Sequence, residues 1–141
     1  MNPTVSRHRW QDLSVGMTCT FEVTLTPALL DEFARCTGDA SPIHVSNGAA
    51  RSAGFGARVA HGMLLGGLLS RMVGCHLPGA RALLLSSNLR FHKPCLEGDV
   101  VRVDAVVENL SEATRAATLS VRFLVGMELC ASATALASVR D

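Results

Sequence analysis

The segment from Val59 to Val73 constrains this chain most: it is apolar around most of a helix's circumference and interrupted only by His61, Ser70 and Arg71. A membrane-spanning helix needs about 20 predominantly apolar residues, so a shorter one must be covered by protein. A helix this apolar belongs at the centre of a fold, with the rest of the chain as its wrapping. Gly62, Gly66 and Gly67 lie within it, and each glycine inside a helix costs about 1 kcal/mol relative to alanine. Close approach by a neighbouring element would offset that cost.

The wrapping is legible as strands. Met17, Cys19, Phe21, Val23 and Leu25 alternate with Thr18, Thr20, Glu22 and Thr24, the period of a half-buried strand. Beyond the helix come four more strand-like runs, Ala82 to Phe91, Val100 to Val107, Ala116 to Val125 and Glu128 to Val139, with Gly126-Met127 as a tight hairpin turn between the last two. Between the first strand and the apolar helix, Thr26-Pro27 reads as an N-cap and first helical residue, and the helix it opens runs to Gly38. The stretch from Gly38 to His44 is expected to be irregular because of Pro42, and a further helix starts from Ser46 as N-cap. The apolar helix is expected from His61 to about Cys75. Helices and strands segregate in this way in the α+β class, here as one domain over residues 1–141 with a curved antiparallel sheet around a central helix.

Composition excludes several functions. Net charge is +1 and neither sign forms a run, so no nucleic-acid or anionic-membrane partner is expected. The N-terminal residues carry no apolar stretch behind their basic ones, so no secretory signal is read there. Five cysteines, scattered and without a C-x-x-C, point to free thiols in a reducing cytoplasm rather than disulfides or structural zinc. Hydrophobic residues make up 48% of the chain and aromatics only 4%, an excess that a second copy of the chain or an apolar ligand would cover.

Two acid–base groups, Asp39 and His44, lie five residues apart in the loop Gly38-Asp39-Ala40-Ser41-Pro42-Ile43-His44. A carboxylate and an imidazole held toward one point can bind and orient a water; the same residues can equally serve as a turn cap and a buried structural histidine. Gly62 opens the apolar helix, where backbone N–H groups lack intrahelical partners and suit an anion or a polarised carbonyl, although a glycine there also permits close packing. Ser70 is expected to be buried in the helix and does not sit in a nucleophile-elbow sequence. No G-x-G-x-x-G or P-loop pattern is present. No spacing of histidines argues for a metal.

The stretch Phe33-Ala34-Arg35-Cys36-Thr37-Gly38-Asp39-Ala40-Ser41-Pro42-Ile43-His44, then Gly54-Phe55-Gly56 and Val59-Ala60-His61-Gly62-Met63-Leu64, resembles the MaoC-like, (R)-specific enoyl-CoA hydratases. The similarity continues weakly through Leu89-Arg90-Phe91, Pro94 and Gly98-Asp99. It implies the hot-dog fold and reversible hydration of trans-2-enoyl-CoA to (R)-3-hydroxyacyl-CoA. It further implies Asp39 and His44 as the catalytic pair, Gly62 as the amide donor to the thioester carbonyl, and Ser70 as a helix residue lining the same site. No metal or cofactor is implied, since coenzyme A is part of the substrate, and a homodimer with acyl tunnels near its interface is expected. Two positions depart from the family pattern: Ser41 stands where Asn is usual and Ser46 where Asp is usual. Leu64, Leu68 and Leu85 are expected to shape the acyl pocket, while Lys93 and Arg90 read as solvated charges rather than phosphate ligands. The competing readings are a non-catalytic acyl-CoA-binding protein, an acyl-carrier-protein dehydratase and a thioesterase. A thioesterase commonly carries an acid on the central helix, and His61 to Cys75 has no Asp or Glu.

Overall fold

The computed structural model describes residues 4–141. Five strands, β1 (Thr18–Thr24), β2 (Ala82–Phe91), β3 (Val100–Ser111), β4 (Ala116–Val125) and β5 (Glu128–Val139), form one antiparallel sheet in the order β1-β3-β4-β5-β2. Four helices accompany it: α1 (Pro27–Thr37), α2 (Pro42–Val45), α3 (Asn47–Ser52) and α4 (Gly62–Arg71), the last continued by a π turn over Met72–His76. The strand limits predicted from alternation hold for β2, β4 and β5, and Gly126-Met127 makes the expected two-residue turn. β3 runs four residues further than expected, because a bulge between Val107 and Asn109 resets its register and lets pairing with β4 continue to Ser111.

Side chains at every second position of three strands face one core. Val101, Val103, Ala105 and Val107 of β3 join Ala117, Leu119, Val121 and Phe123 of β4 there. From β5 the row is Ala131, Ala133, Ala135 and Ala137, side chains small enough to let a helix lie close to the sheet. Leu64, Leu65, Leu68 and Leu69 of α4 and Met72 and Val73 of the π turn complete the cluster. Each such side chain, once buried, contributes about 1.5–3 kcal/mol. This is the hot-dog arrangement: the sheet wraps the apolar helix.

The helix is less completely enclosed than its sequence implies. Gly62, Met63, Gly67 and Ser70 are exposed, and together with the half-buried Gly66 they form an open stripe along α4. Ser70, expected inside the helix packing, therefore lies on the surface of the chain. The edge strand β2 carries three further exposed apolar residues, Leu83 at 56%, Leu85 at 52% and Phe91 at 50%. Among the described residues no helix is long and apolar enough to cross a membrane.

One buried charge organises the side of the fold that holds the loops. Arg58, only 6% exposed, donates through Nε to Glu97 at 2.5 Å and through Nη1 to Asp31 at 2.6 Å. Its Nη2 reaches the Pro27 carbonyl at 3.2 Å. These carboxylates hold the guanidinium pKa above its ordinary value against the cost of burial. The ion pairs tie α1, the segment before α4 and the loop after β2 into one unit. Replacing Arg58 with Met strands the half-buried Glu97 and is expected to lower unfolding free energy by about 1–3 kcal/mol; an unchanged denaturant midpoint would show that the network carries no stability.

Candidate active site

Local rules explain how Asp39 is presented. Thr26 caps α1, its Oγ1 accepting from Leu29 N–H at 3.2 Å, and Pro27 occupies the first turn, where a missing N–H costs nothing. Gly38 ends the helix at φ +76°, a left-handed conformation natural only to glycine, and turns the chain out of the helix axis. Asp39 N–H then donates to Thr37 Oγ1, and Asp39 Oδ1 accepts from Ser41 N–H, both at 3.2 Å. The second bond is an Asx turn that leaves the carboxylate exposed and locally held.

His44 sits in α2, not in an irregular loop as expected. Proline disfavours helix in the residue before it, Ser41, but is itself well suited to a first helical turn, and Pro42 opens α2. Ser46 closes α2 with its backbone and caps α3 with its side chain, Oγ accepting from Ala49 N–H at 3.1 Å.

The extended strip Arg58–His61 carries one site histidine, His61, and anchors the other, His44. Arg58 N–H donates to Asn47 Oδ1 at 3.1 Å, Val59 N–H to the Ile43 carbonyl at 2.9 Å, and Ala60 N–H to the Cys95 carbonyl at 2.8 Å. The Val59 carbonyl accepts a 2.7 Å hydrogen bond from His44 Nδ1–H. That bond fixes the neutral tautomer, leaving Nε2 as the free ring nitrogen with a lone pair able to take a proton. His61 follows on the strip, 2% exposed, and its Nε2–H donates to the Asp39 carbonyl at 2.8 Å. The two imidazoles stack with centroids 4.0 Å apart and planes 26° apart.

Around these groups lie two adjoining cavities of about 330 and 340 Å³ that share His44, His61, Gly62 and Phe91 as walls. The first continues into apolar surface from Val59, Ala60, Leu65 and Cys95, with His92 and Lys93 at its side. The second contains Asp39, Thr37, Phe33 and Met63. Gly62, the first residue of α4, brings the unpaired amides of the helix start to both cavities. A Cβ at this position would lie 3.2 Å from two atoms of the Phe91 ring, so the site is built around a bare backbone there. Burial pushes the Cys95 thiol up to about 12, so this cavity cysteine is no nucleophile at neutral pH.

The structure thus brings Asp39, His44 and Gly62 together and leaves Ser70 out. Ser70 is exposed two helical turns beyond Gly62 and borders neither cavity, because the small residues of α4 mark its open face and not its packed one. Of the three leucines expected to shape an acyl pocket, Leu64 and Leu68 are buried in the core and Leu85 is exposed on β2; Leu65 is the α4 leucine that lines the first cavity. Lys93 pairs with Glu128 at 2.9 Å on the surface, as a solvated charge does. His61 is the group that reading the sequence missed. Its signal was a histidine flanked by Val59-Ala60 and Met63-Leu64, a polar side chain at a position bound to be buried.

Asp39, His44 and His61 place donor atoms within 4.8 Å of one another. That cluster fits a metal poorly. Stacked rings aim their in-plane lone pairs side by side, whereas an ion needs them to converge at about 2.0–2.2 Å. The arrangement suits proton transfer: an exposed carboxylate, an imidazole of fixed tautomer and a helix-start amide at one cavity wall.

Comparison with known proteins identifies the family of the chain. The family model of the MaoC-like domain matches residues 12–126. A 3-hydroxybutyryl-CoA dehydratase of Methylorubrum extorquens is 37% identical over 130 residues, covering 92% of this chain and 83% of the relative. An (R)-specific enoyl-CoA hydratase of Aeromonas caviae is 33% identical over 112 residues, covering 79% of this chain and 84% of the relative. Among solved structures, the Aeromonas caviae (R)-hydratase involved in PHA biosynthesis superposes with a TM-score of 0.89 at 30% identity, covering 92% of this chain and 99% of its own. An unliganded R-hydratase of Pseudomonas aeruginosa gives 0.92 at 26% identity, covering 97% and 88% respectively. With a matching family model over most of its length, relatives above 30% identity and the hot-dog fold itself, the chain belongs to the MaoC-like domain family.

Proposed function

We propose that this protein is a hydro-lyase that adds water reversibly to a trans-2-enoyl-CoA, giving the (R)-3-hydroxyacyl-CoA. The observation that carries the reading is the meeting of Asp39, His44 and the Gly62 amide at one cavity wall. Relatives named as hydratases and as a dehydratase describe the two directions of this one equilibrium.

Asp39 and His44 hold the water. Its oxygen bonds to C3 of the enoyl group, one of its protons passes to the pair, and a proton from the pair goes to C2 on the same face, so the pair ends with its starting inventory. Electron density leaving the double bond collects on the thioester oxygen, which accepts from the Gly62 N–H. A donor preorganised at such an oxygen typically stabilises the transition state by about 2.7–4 kcal/mol. The wall of Val59, Ala60 and Leu65 receives the acyl chain. The added water replaces the proton that the pair gives to C2, so side chains and water carry every proton that moves, with no metal or redox group in the scheme.

A thioesterase reading is disfavoured because α4 carries no carboxylate to act as base on the central helix. Mitochondrial 3-hydroxyacyl-[acyl-carrier-protein] dehydratases of Arabidopsis thaliana and tomato are 36% identical over about half of this chain, so activity on both carriers belongs in the test. The functional unit is a homodimer: β2 is an unpaired edge bearing exposed Leu83 and Leu85, beside the open stripe of α4 with Met63 at 59% exposure.

Asp39→Asn and His44→Ala are each expected to slow the loss of enoyl-thioester absorbance by at least about 10²-fold, with far-ultraviolet circular dichroism unchanged; a wild-type rate in either variant refutes the assignment. Light scattering should return a mass twice that of the 14.9 kDa chain. A monomer at micromolar concentration would contradict the paired edge.

A further inference from the structure

His61 is buried and has a polar atom with no use inside the protein: its Nδ1 is enclosed and without a hydrogen-bond partner. Leaving a buried ring nitrogen unpaired is unfavourable, and an apolar ring would fill the place between Phe33, at 4.9 Å, and His44 without that loss. The other nitrogen does have a protein partner. His61 Nε2–H donates to the Asp39 carbonyl across 22 residues of sequence, whereas the other hydrogen bonds of Asp39, to Thr37 and Ser41, stay within its own loop. The same ring stacks on His44 and immediately precedes Gly62. One imidazole thus touches the backbone of the acid, the ring of the base and the start of the helix that carries the amide.

We propose that His61 is a positioning residue for the proposed hydration: its Nε2–H fixes Asp39 relative to His44, and its ring backs the His44 imidazole from behind. Its part in the reaction is through Asp39 and His44, although its ring also borders both cavities. The inference rests on the hydratase reading. Displacement of a catalytic group by about 1 Å can cost 10²-fold in rate, which sets the scale of the effect.

Three substitutions separate positioning from packing. His61→Ala removes both contacts and is expected to lower kcat about 10²-fold with KM within about twofold, the pattern of an interaction felt only at the transition state. His61→Phe keeps the ring and fills the space but cannot donate. His61→Gln can donate to the Asp39 carbonyl but cannot stack. A kcat for His61→Gln above that of His61→Phe supports the proposal. A kcat for His61→Phe equal to or above that of His61→Gln reduces His61 to packing and overturns it, as does wild-type kcat in His61→Ala or a loss confined to KM. The backbone amide resonances of Asp39 and Ser41 give a readout that needs no turnover: broadening from loop exchange in His61→Phe, absent in His61→Gln, supports the role. Identical spectra for the two variants overturn it, even should the wild-type protein turn over no enoyl thioester.

Discussion

Everything at the site hangs on a strip of four extended residues, Arg58 to His61. Its backbone and side chains bond to α2, to the first residue of α3, to the segment after β2 and to Asp39 itself. The central helix begins where the strip ends, so the helix start, His44 and Asp39 share one reference. Arg58 holds the strip from beneath with two carboxylates brought from α1 and from the β2–β3 connection. Burying a charge is costly unless it is paired and hydrogen-bonded, and here the pairing joins three stretches of chain distant in sequence. The sheet supplies stability; the strip supplies alignment.

That division explains what could be read in the sequence. Strand alternation and the caps at Thr26, Gly38 and Ser46 are local signals, and α1, α3, β2, β4 and β5 follow them closely. Asp39, His44 and Gly62 stood out by residue type, but those types left a turn cap, a structural histidine and a packing glycine equally open, and the family resemblance singled them out. His61 did not stand out, because its contacts are with residues 17 and 22 positions away. Ser70 misled for a related reason. Periodicity alone shows that a helix is apolar nearly all round, but small residues tell a packed face from an open one only once the sheet's curvature is known.

The two departures from the family pattern are absorbed by backbone geometry. At position 41 the bond to Asp39 comes from the main-chain N–H, which serine supplies as well as asparagine. At position 46 the requirement is an oxygen able to cap α3, and the serine hydroxyl meets it. The scarcity of aromatic side chains also finds its place. Alanines fill the inward row of β5 so that a leucine-rich helix can lie against the sheet, and the remaining apolar excess is exposed along β2 and the open stripe of α4.

In the proposed reaction Asp39 and His44 deliver water to one face of an enoyl thioester. Incubating the wild-type protein with crotonyl-CoA and resolving the product by chiral chromatography should give the (R)-3-hydroxyacyl thioester; the (S)-product, or release of free coenzyme A in place of hydration, would overturn the proposal.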